Sequence, residues 1–187
     1  MNTRKETRFT TVDTALIGVF SAVWVALNLT LGPLGFAWFK LPILCDFAVF
    51  FTLLLATWLA GKFGVASVVG IIGSAIILIM RGSPHIIGFA ASAILFDMLM
   101  SAIHHKIYLK TYNMLLAAAV TMISAYFAGL IIGIFFMYKP LDWATVEWAL
   151  TFWGVWHMIG GIIGTVVTLP IIGILEKANV RRIKNGC

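Results

Sequence analysis

The stretch that decides the fold runs from Ile43 to Met80 and reads ILCDFAVFFTLLLATWLAGKFGVASVVGIIGSAIILIM. It holds two apolar runs, Ile43 to Ala60 and Val65 to Met80, separated by Gly61-Lys62-Phe63-Gly64. A membrane-spanning helix needs about 20 mostly apolar residues. Each run therefore predicts one short transmembrane helix, and the glycine-flanked turn predicts a tight hairpin between them.

Four further apolar runs flank this hairpin: Thr14 to Leu31, Ile86 to Ile103, Met114 to Met137 and Ala149 to Leu175. Of the 187 residues, 61% are hydrophobic and only 11% are charged. A soluble chain of this size could not cover so much apolar surface with so few polar residues. We therefore predict an all-α integral membrane protein, a compact bundle of six transmembrane helices.

The distribution of basic residues predicts the orientation of the bundle, because Lys and Arg concentrate in cytoplasmic segments. With a cytoplasmic N-terminus, the outer segments hold three of the 13 basic residues, Lys40, Arg81 and Lys139. The inner segments hold the other ten: Arg4, Lys5, Arg8, Lys62, Lys106, Lys110, Lys177, Arg181, Arg182 and Lys184. Both ends of the chain are thus predicted to be cytoplasmic.

We expect one membrane domain over residues 1–187, with a cytoplasmic segment 1–13, a six-helix bundle 14–175 and a basic cytoplasmic tail 176–187. The net charge of +6 indicates contact with the lipid surface, since the basic residues flank apolar runs. No phosphate-binding loop or basic–aromatic stripe points to nucleic acid.

Sequence motifs for catalysis are missing. The chain has no Gly-x-Ser-x-Gly, no His-Glu-x-x-His and no Walker motif. Cys45 and Cys187 do not form a Cys-x-x-Cys pair, which predicts neither a structural disulfide nor a cysteine metal site. We expect no enzyme activity, no metal and no cofactor bound by this chain, so that any ATP use belongs to partner subunits.

Small residues form a stripe on the first predicted helix. Ala15, Gly18, Ala22 and Ala26 lie on one narrow face at about 100° per residue. Such a face lets another helix backbone approach closely within a membrane. The pattern fits internal packing and a docking face for a second membrane subunit equally well.

Similar small-residue spacing occurs on the fifth and sixth predicted helices, where it predicts close packing within the bundle. The positions are Ala125, Gly129 and Gly133 on the fifth helix, and Gly160, Gly161 and Gly164 on the sixth.

Asp97 is the one acidic residue deep within a predicted span, on the same face as Ala90, Ala93 and Ser101. Three further acids, Asp46, Asp142 and Glu147, are assigned to outer segments. A carboxylate within a membrane is costly and needs a partner. Proton or cation coupling, contact with a substrate and a structural hydrogen bond all remain open for Asp97.

Aromatic and polar residues of the outer half are candidates for a small-molecule site, since such sites combine aromatic walls with a few polar groups. Interfacial tryptophan belts are the alternative explanation for the aromatic residues. A predicted loop over Gly32 to Pro42 suits a lid over the ligand. The candidate binding residues are Asn28, Trp38, Lys40, Arg81, His85, Trp143, Glu147, Trp153, Trp156 and His157.

This layout resembles the substrate-binding S component of energy-coupling factor transporters. The resemblance is carried by six short helices, cytoplasmic ends, the small-residue stripe, Phe39-Lys40-Leu41, an acidic residue entering the second helix, and the turn Gly61-Lys62-Phe63-Gly64 leading to Gly70. It covers nearly the whole chain in layout, although its motifs are degenerate.

The resemblance implies capture of a vitamin or a metal ion from outside the cell. It further implies docking through the first-helix motif, Gly18 to Ala22 extended to Ala26, on a transmembrane coupling subunit driven by two ABC ATPases. A plasma-membrane location in a prokaryote follows in the same way. Nickel and cobalt members begin Met-His, whereas this chain begins Met-Asn-Thr, so a transition metal is not expected.

The sequence thus favours a substrate-capture subunit for a small, water-soluble vitamin or precursor, such as a thiamin-like or pyrimidine compound that stacks on tryptophan. A self-contained proton- or cation-coupled secondary transporter or channel that uses Asp97 is the alternative. A small membrane enzyme or assembly factor is disfavoured, because no nucleophile or metal cluster supports it.

Overall fold

The computed structural model describes residues 9–105, 107, 111–137, 140–178 and 180. These residues form helices and short connections, with no strand among them. The α-helices are α1 (Thr11–Phe39), α2 (Ile43–Ala60), α3 (Val65–Arg81), α4 (Ile86–Ala102), α5 (Thr111–Ile131), α6 (Trp143–Trp148) and α7 (Gly154–Lys177). The π-helical segment Ile132–Phe136 extends α5, and the π-helical segment Ala149–Trp153 joins α6 to α7.

The predicted all-α membrane bundle of six helices is confirmed. The helices α1 and α2, the extended α5 and the continuous helix Trp143–Lys177 are each long and apolar enough to cross a membrane. The remaining two, α3 and α4, are apolar helices of 17 residues. The core of the bundle is α2, since 72% of its residues are buried, and it packs mainly against α1 and α7.

The loop predicted over Gly32 to Pro42 is wrong, because α1 continues to Phe39. Gly32 and Gly35 serve close packing against α2 and not a turn. A Cβ on Gly35 would lie 3.0 Å from the Leu44 Cβ, and one on Gly32 would lie 3.2 Å from the Cys45 Sγ. Membrane helices tolerate Gly and Pro in this way because packing satisfies the neighbouring backbone. Only residues 40–42 remain as a link, too short for the expected lid.

The predicted start of the last membrane helix, at Ala149, is also wrong. Asp142 caps α6, because its Oδ1 accepts a hydrogen bond of 2.8 Å from the Thr145 backbone N–H. A side-chain oxygen at this position satisfies one of the free N–H groups of the first turn. The last membrane helix therefore starts at Trp143 and not at Ala149.

Charged contacts define one end of the bundle, here called the inner end. The Lys62 Nζ lies 2.7 Å from the Asp13 Oδ2, which joins the α2–α3 turn to the start of α1. The Trp58 Nε1–H donates to the Glu176 Oε1 at 3.3 Å, which joins the end of α2 to the end of α7. The start of α1 and the end of α7 therefore both lie at the inner end. Arg81, at the far end of α3, marks the outer end.

The orientation of these ends relative to the cytoplasm stays a prediction. Several basic residues on which it depends lie outside the described residues: Arg4, Lys5, Arg8, Lys106, Lys110, Lys139, Arg181, Arg182 and Lys184.

Asp97 caps the N-terminus of α3 from the neighbouring helix α4. Its Oδ2 accepts hydrogen bonds from the Gly64 N–H at 2.8 Å, the Ser67 N–H at 2.9 Å and the Ser67 Oγ–H at 2.8 Å. A carboxylate here satisfies free backbone donors and lies at the positive end of the helix dipole. Its Oδ1 lies 3.7 Å from the His105 Nε2. Asp97 therefore has a structural partner at the inner end of the bundle.

Weakening this cap should destabilise the bundle in graded steps. We expect Asp97→Asn to cost about 1–2 kcal/mol, because the amide oxygen still accepts but carries no charge, and Asp97→Ala to cost about 3 kcal/mol. Ser67→Ala is the matched control, since it removes only the hydroxyl donor and should cost less than either. Thermal unfolding in detergent measures the order. Equal stability of Asp97→Ala and the wild type would contradict the capping role.

Candidate functional site

A carboxylate–imidazole pair lies buried between α2 and α7. The His157 Nδ1 is 3.0 Å from the Asp46 Oδ1 and 2.9 Å from the Asp46 Oδ2, and both side chains are at most 1% exposed. The helices come close at this level because α7 carries Gly160, where a Cβ would lie 2.7 Å from the Asp46 Cβ. A buried carboxylate requires such a partner in a medium of low polarity.

The position of Asp46 corrects one expectation. It does not belong to an outer segment, because it lies in the first turn of α2 and is fully buried. Together with Asp13 and Asp97, it is one of three acids among the described residues that are 0% exposed.

A cavity of about 290 Å³ opens beside this pair, in the outer half of the bundle. It lies between the end of α1, the start of α2, the start of α4 and the two π-helical segments. We call it the outer cavity. Its walls are mostly aromatic and aliphatic, with a few polar side chains: Phe36, Pro42, Cys45, His85, Phe89, Ile132, Phe136, Met137, Trp153 and His157.

The two π-helical segments shape the outer cavity. Such segments are rare and occur often at functional sites. The segment that ends at Trp153 packs against the one that extends α5, where a Cβ on Gly133 would lie 3.0 Å from the Trp153 Cδ1. The Trp153 ring stacks on Trp148 at 5.3 Å between centroids and meets the His157 ring edge-on at 5.5 Å. These contacts hold Trp153 and His157 side by side on one wall.

Two ring nitrogens on this wall have no hydrogen-bond partner among the described residues. They are the Trp153 Nε1 and the His157 Nε2, and both atoms are buried. Buried polar groups in folded proteins are almost always paired. Both nitrogens belong to residues that line the outer cavity, which makes them candidate partners for a ligand there.

A second polar cluster lies at the edge of the outer cavity, around Gly32. A Cβ on Gly32 would be 3.2 Å from the Cys45 Sγ, 3.6 Å from the Arg81 Nη1 and 3.9 Å from the Asn28 Oδ1. His85 follows Arg81 on the short connection to α4. Burial, together with the charges of Arg81 and His157, lowers the pKa of His85 below its usual value. His85 is therefore neutral at neutral pH.

The structure brings together half of the ten predicted binding residues. His85, Trp153 and His157 line the outer cavity, while Asn28 and Arg81 flank Cys45 at its edge. The other five do not line it. Four of these are exposed, namely Trp38, Lys40, Trp143 and Glu147, and the fifth, Trp156, is half-buried and packs on Phe152. The positions of Trp38 and Trp143, at 68% and 75% exposure, fit an interfacial belt.

Sequence reasoning missed several cavity residues. Asp46, which holds His157, carried a usable signal, because it is an acid three residues into an apolar run. The aliphatic and aromatic lining residues carried none, since their composition matches that of the lipid-facing positions. They are Phe36, Pro42, Cys45, Phe89, Ile132, Phe136 and Met137.

A more open groove of about 400 Å³ lies between α5 and α7 and is lined by Ala119, Met122, Ile123, Tyr126 and Met158. Its walls are almost wholly apolar, and the Tyr126 hydroxyl already donates to the Leu150 carbonyl at 2.9 Å. The groove therefore fits contact with lipid chains and offers no group for specific recognition.

No family model, no curated protein and no solved structure matches this chain. Its function is therefore inferred from the chemistry of the bundle. That chemistry is a cavity with aromatic walls and two ring nitrogens that lack a partner in the described part of the chain, backed by a buried Asp–His pair.

Separating the two partners of the Asp46–His157 pair should be costly. We expect His157→Leu to destabilise the protein by about 3–5 kcal/mol, because it leaves a buried carboxylate unpaired. Asp46→Leu/His157→Leu should recover much of that loss, since neither charge remains. A double-mutant cycle on thermal unfolding in detergent measures this coupling. Additive effects of the two single substitutions would show that the pair is energetically unimportant.

Proposed function

We propose that this chain is the membrane substrate-capture (S) subunit of an energy-coupling factor transporter, importing a small water-soluble vitamin or precursor. In this role the outer cavity receives the substrate, and the face of α1 docks on a transmembrane coupling subunit. Two ABC ATPases on that subunit supply the energy, so this chain needs no cofactor and no catalytic group.

The observation that carries the proposal is the exposure of the α1 stripe. Ala15, Gly18, Ala22 and Ala26 are all exposed on the outside of the bundle. A Cβ on Gly18 would have no atom within 4 Å, so the glycine serves no contact within the described chain. Internal packing therefore does not account for this stripe.

The other small-residue stripes differ from the one on α1, because they are buried between helices. Gly129 packs against Gly154 and His157, and Gly161 packs against Ala125. The remaining positions are buried as well: Gly133, Gly160 and Gly164. These buried stripes have their partners within the chain, whereas the α1 stripe presents a shallow face of the kind that transmembrane helices use to associate.

The outer cavity supports the capture part of the proposal. Substrate sites are concave, largely apolar and furnished with a few polar groups, as is this cavity between Phe89, Trp153 and His157. A ring compound of the thiamin or pyrimidine type would stack on these aromatic walls. The proposed location is the plasma membrane of a prokaryote, with the outer cavity facing the outside.

A self-contained proton- or cation-coupled transporter or channel that uses Asp97 is less well supported. Coupling requires a titratable group that meets the substrate or its path. Asp97 accepts three hydrogen bonds at the start of α3, whereas Arg81 near the outer cavity lies at the other end of the same helix. The length of α3 separates the two ends by about 25 Å at 1.5 Å per residue.

Enlarging the α1 stripe should block assembly. We expect Gly18→Leu and Ala22→Leu to lose co-purification of a coupling subunit and its ATPases from the native membrane, because a bulky side chain prevents close helix approach. Ala119→Leu is the matched control, since Ala119 is also exposed but lies on α5. Affinity purification with mass spectrometry measures the outcome. Unchanged co-purification with the folded Gly18→Leu protein would contradict docking through α1.

A further inference from the structure

The unpaired polar groups on the wall of the outer cavity are hydrogen-bond donors. An indole nitrogen can only donate, so the Trp153 Nε1–H calls for an acceptor. This nitrogen is buried and has no partner among the described residues, and Trp153 lines the cavity. A ligand that pairs with it must therefore carry a hydrogen-bond acceptor.

The Asp46–His157 pair makes the second nitrogen a donor as well. Burial disfavours a net charge on the pair. The pair is neutral as carboxylate with imidazolium, or as carboxylic acid with an imidazole that accepts at Nδ1. In both states the His157 Nε2 carries a hydrogen. The one other neutral arrangement, a protonated Asp46 that accepts from the Nδ1–H, leaves the acid O–H without a described acceptor.

The charges around the outer cavity also favour a ligand with an acceptor over a cation. No carboxylate lines the outer cavity among the described residues, since Asp46 lies behind His157. The guanidinium of Arg81 stands at the edge, next to Cys45. A cation placed here would meet donors and a positive charge, whereas an acceptor group would meet complementary partners.

We propose that the outer cavity binds an uncharged, flat heteroaromatic compound through an acceptor on the ligand, a ring nitrogen or carbonyl oxygen that receives the N–H groups of Trp153 and His157. The aromatic side chains of Phe36, Phe89 and Phe136 supply apolar walls for its ring, and a volume of about 290 Å³ fits one or two rings. This inference rests on the part of the proposed function that places a ligand in the outer cavity. Within the expected substrates it favours a neutral pyrimidine over a cationic thiazolium.

Four two-ring probes of nearly equal size test the proposal on the full chain in nanodiscs. Quinoline carries an acceptor, indole carries a donor, naphthalene carries neither, and N-methylquinolinium is a cation without an acceptor. Equilibrium dialysis against empty nanodiscs removes the lipid background. We expect quinoline to bind about fivefold or more tightly than naphthalene for one added hydrogen bond. Indole and N-methylquinolinium should show no such advantage.

Variants assign this advantage to the two nitrogens. Trp153→Phe and His157→Phe each keep an aromatic ring but remove a donor, so each should reduce the ratio of quinoline to naphthalene affinity. Phe89→Leu is the matched control, because it weakens the wall and should lower all four affinities with that ratio unchanged. If Phe89→Leu alone reduced the ratio of quinoline to naphthalene affinity, the assignment of the advantage to Trp153 and His157 would be overturned.

A direct measurement of the imidazole accompanies the binding assay. In protein labelled with ¹⁵N-histidine, the ¹⁵N shifts distinguish a protonated from an unprotonated ring nitrogen. Single replacements of His85, His104 and His105 assign the fourth signal to His157 by elimination. We expect a protonated Nε2 in the ligand-free wild type and a shift of that signal on adding quinoline. An unprotonated Nε2 at neutral pH would overturn the proposal even if His157→Phe failed to fold.

The remaining outcomes separate this inference from the proposed function. Tighter binding of indole or N-methylquinolinium than of quinoline, or equal binding of all four probes, would overturn the acceptor rule and leave a ligand-binding cavity in place. Failure of every probe to bind would overturn the cavity as a ligand site, and with it the capture part of the proposed function. Docking through α1 is tested separately and does not depend on either result.

Discussion

Because water is excluded from a membrane interior, a buried carboxylate needs a partner, and the three buried carboxylates among the described residues find theirs on other segments of the chain. Asp13 meets Lys62, Asp46 meets His157, and Asp97 meets the first turn of α3. Because an unpaired carboxylate at these positions would cost several kcal/mol, each contact specifies how two elements align. Together they join the start of α1 to the α2–α3 turn, α2 to α7, and α3 to α4.

These contacts divide the bundle into two chemically different halves. At the inner end the carboxylate of Asp13 pairs with Lys62, and that of Asp97 caps the N-terminus of α3. In the outer half the Asp46–His157 pair leaves the His157 Nε2 without a partner among the described residues, beside Trp153. The pairing of buried charges therefore stabilises the inner end, whereas in the outer half it leaves a ring nitrogen that can bind a ligand. Glycine positions on α1, α5 and α7 allow the close helix approach that both halves require.

The six apolar helices could be predicted from the sequence, because lipid demands long apolar runs whose signal is local. Their ends could not. Gly32 and Pro33 have the composition of a loop, yet α1 continues through them because Gly32 and Gly35 face α2. The short helix α6 depends on a single cap by Asp142. Contacts between helices decide such boundaries, and these contacts cannot be predicted from a single sequence.

Part of the candidate site could also be predicted from the sequence. Trp153 and His157 share a helix face, and their spacing alone predicts that they meet one cavity. Asp46 was assigned to an outer segment because it lies near the start of an apolar run, where an acid fits an interface as well as a core. The lining contributed by Phe89, Ile132 and Phe136 depends on how α4 and α5 pack, so spacing along one helix could not reveal it. The exposure of the α1 stripe likewise required the packed bundle.

The central claim is that the outer cavity holds a small molecule, and native mass spectrometry tests it most directly. The full-length protein is incubated with a metabolite extract, freed of excess solute and compared with Cys45→Trp, in which the added indole fills the cavity. The account predicts one discrete small-molecule adduct on the wild type that is absent from the folded Cys45→Trp protein. The absence of any adduct on the wild type, or the same adduct on both proteins, would contradict it.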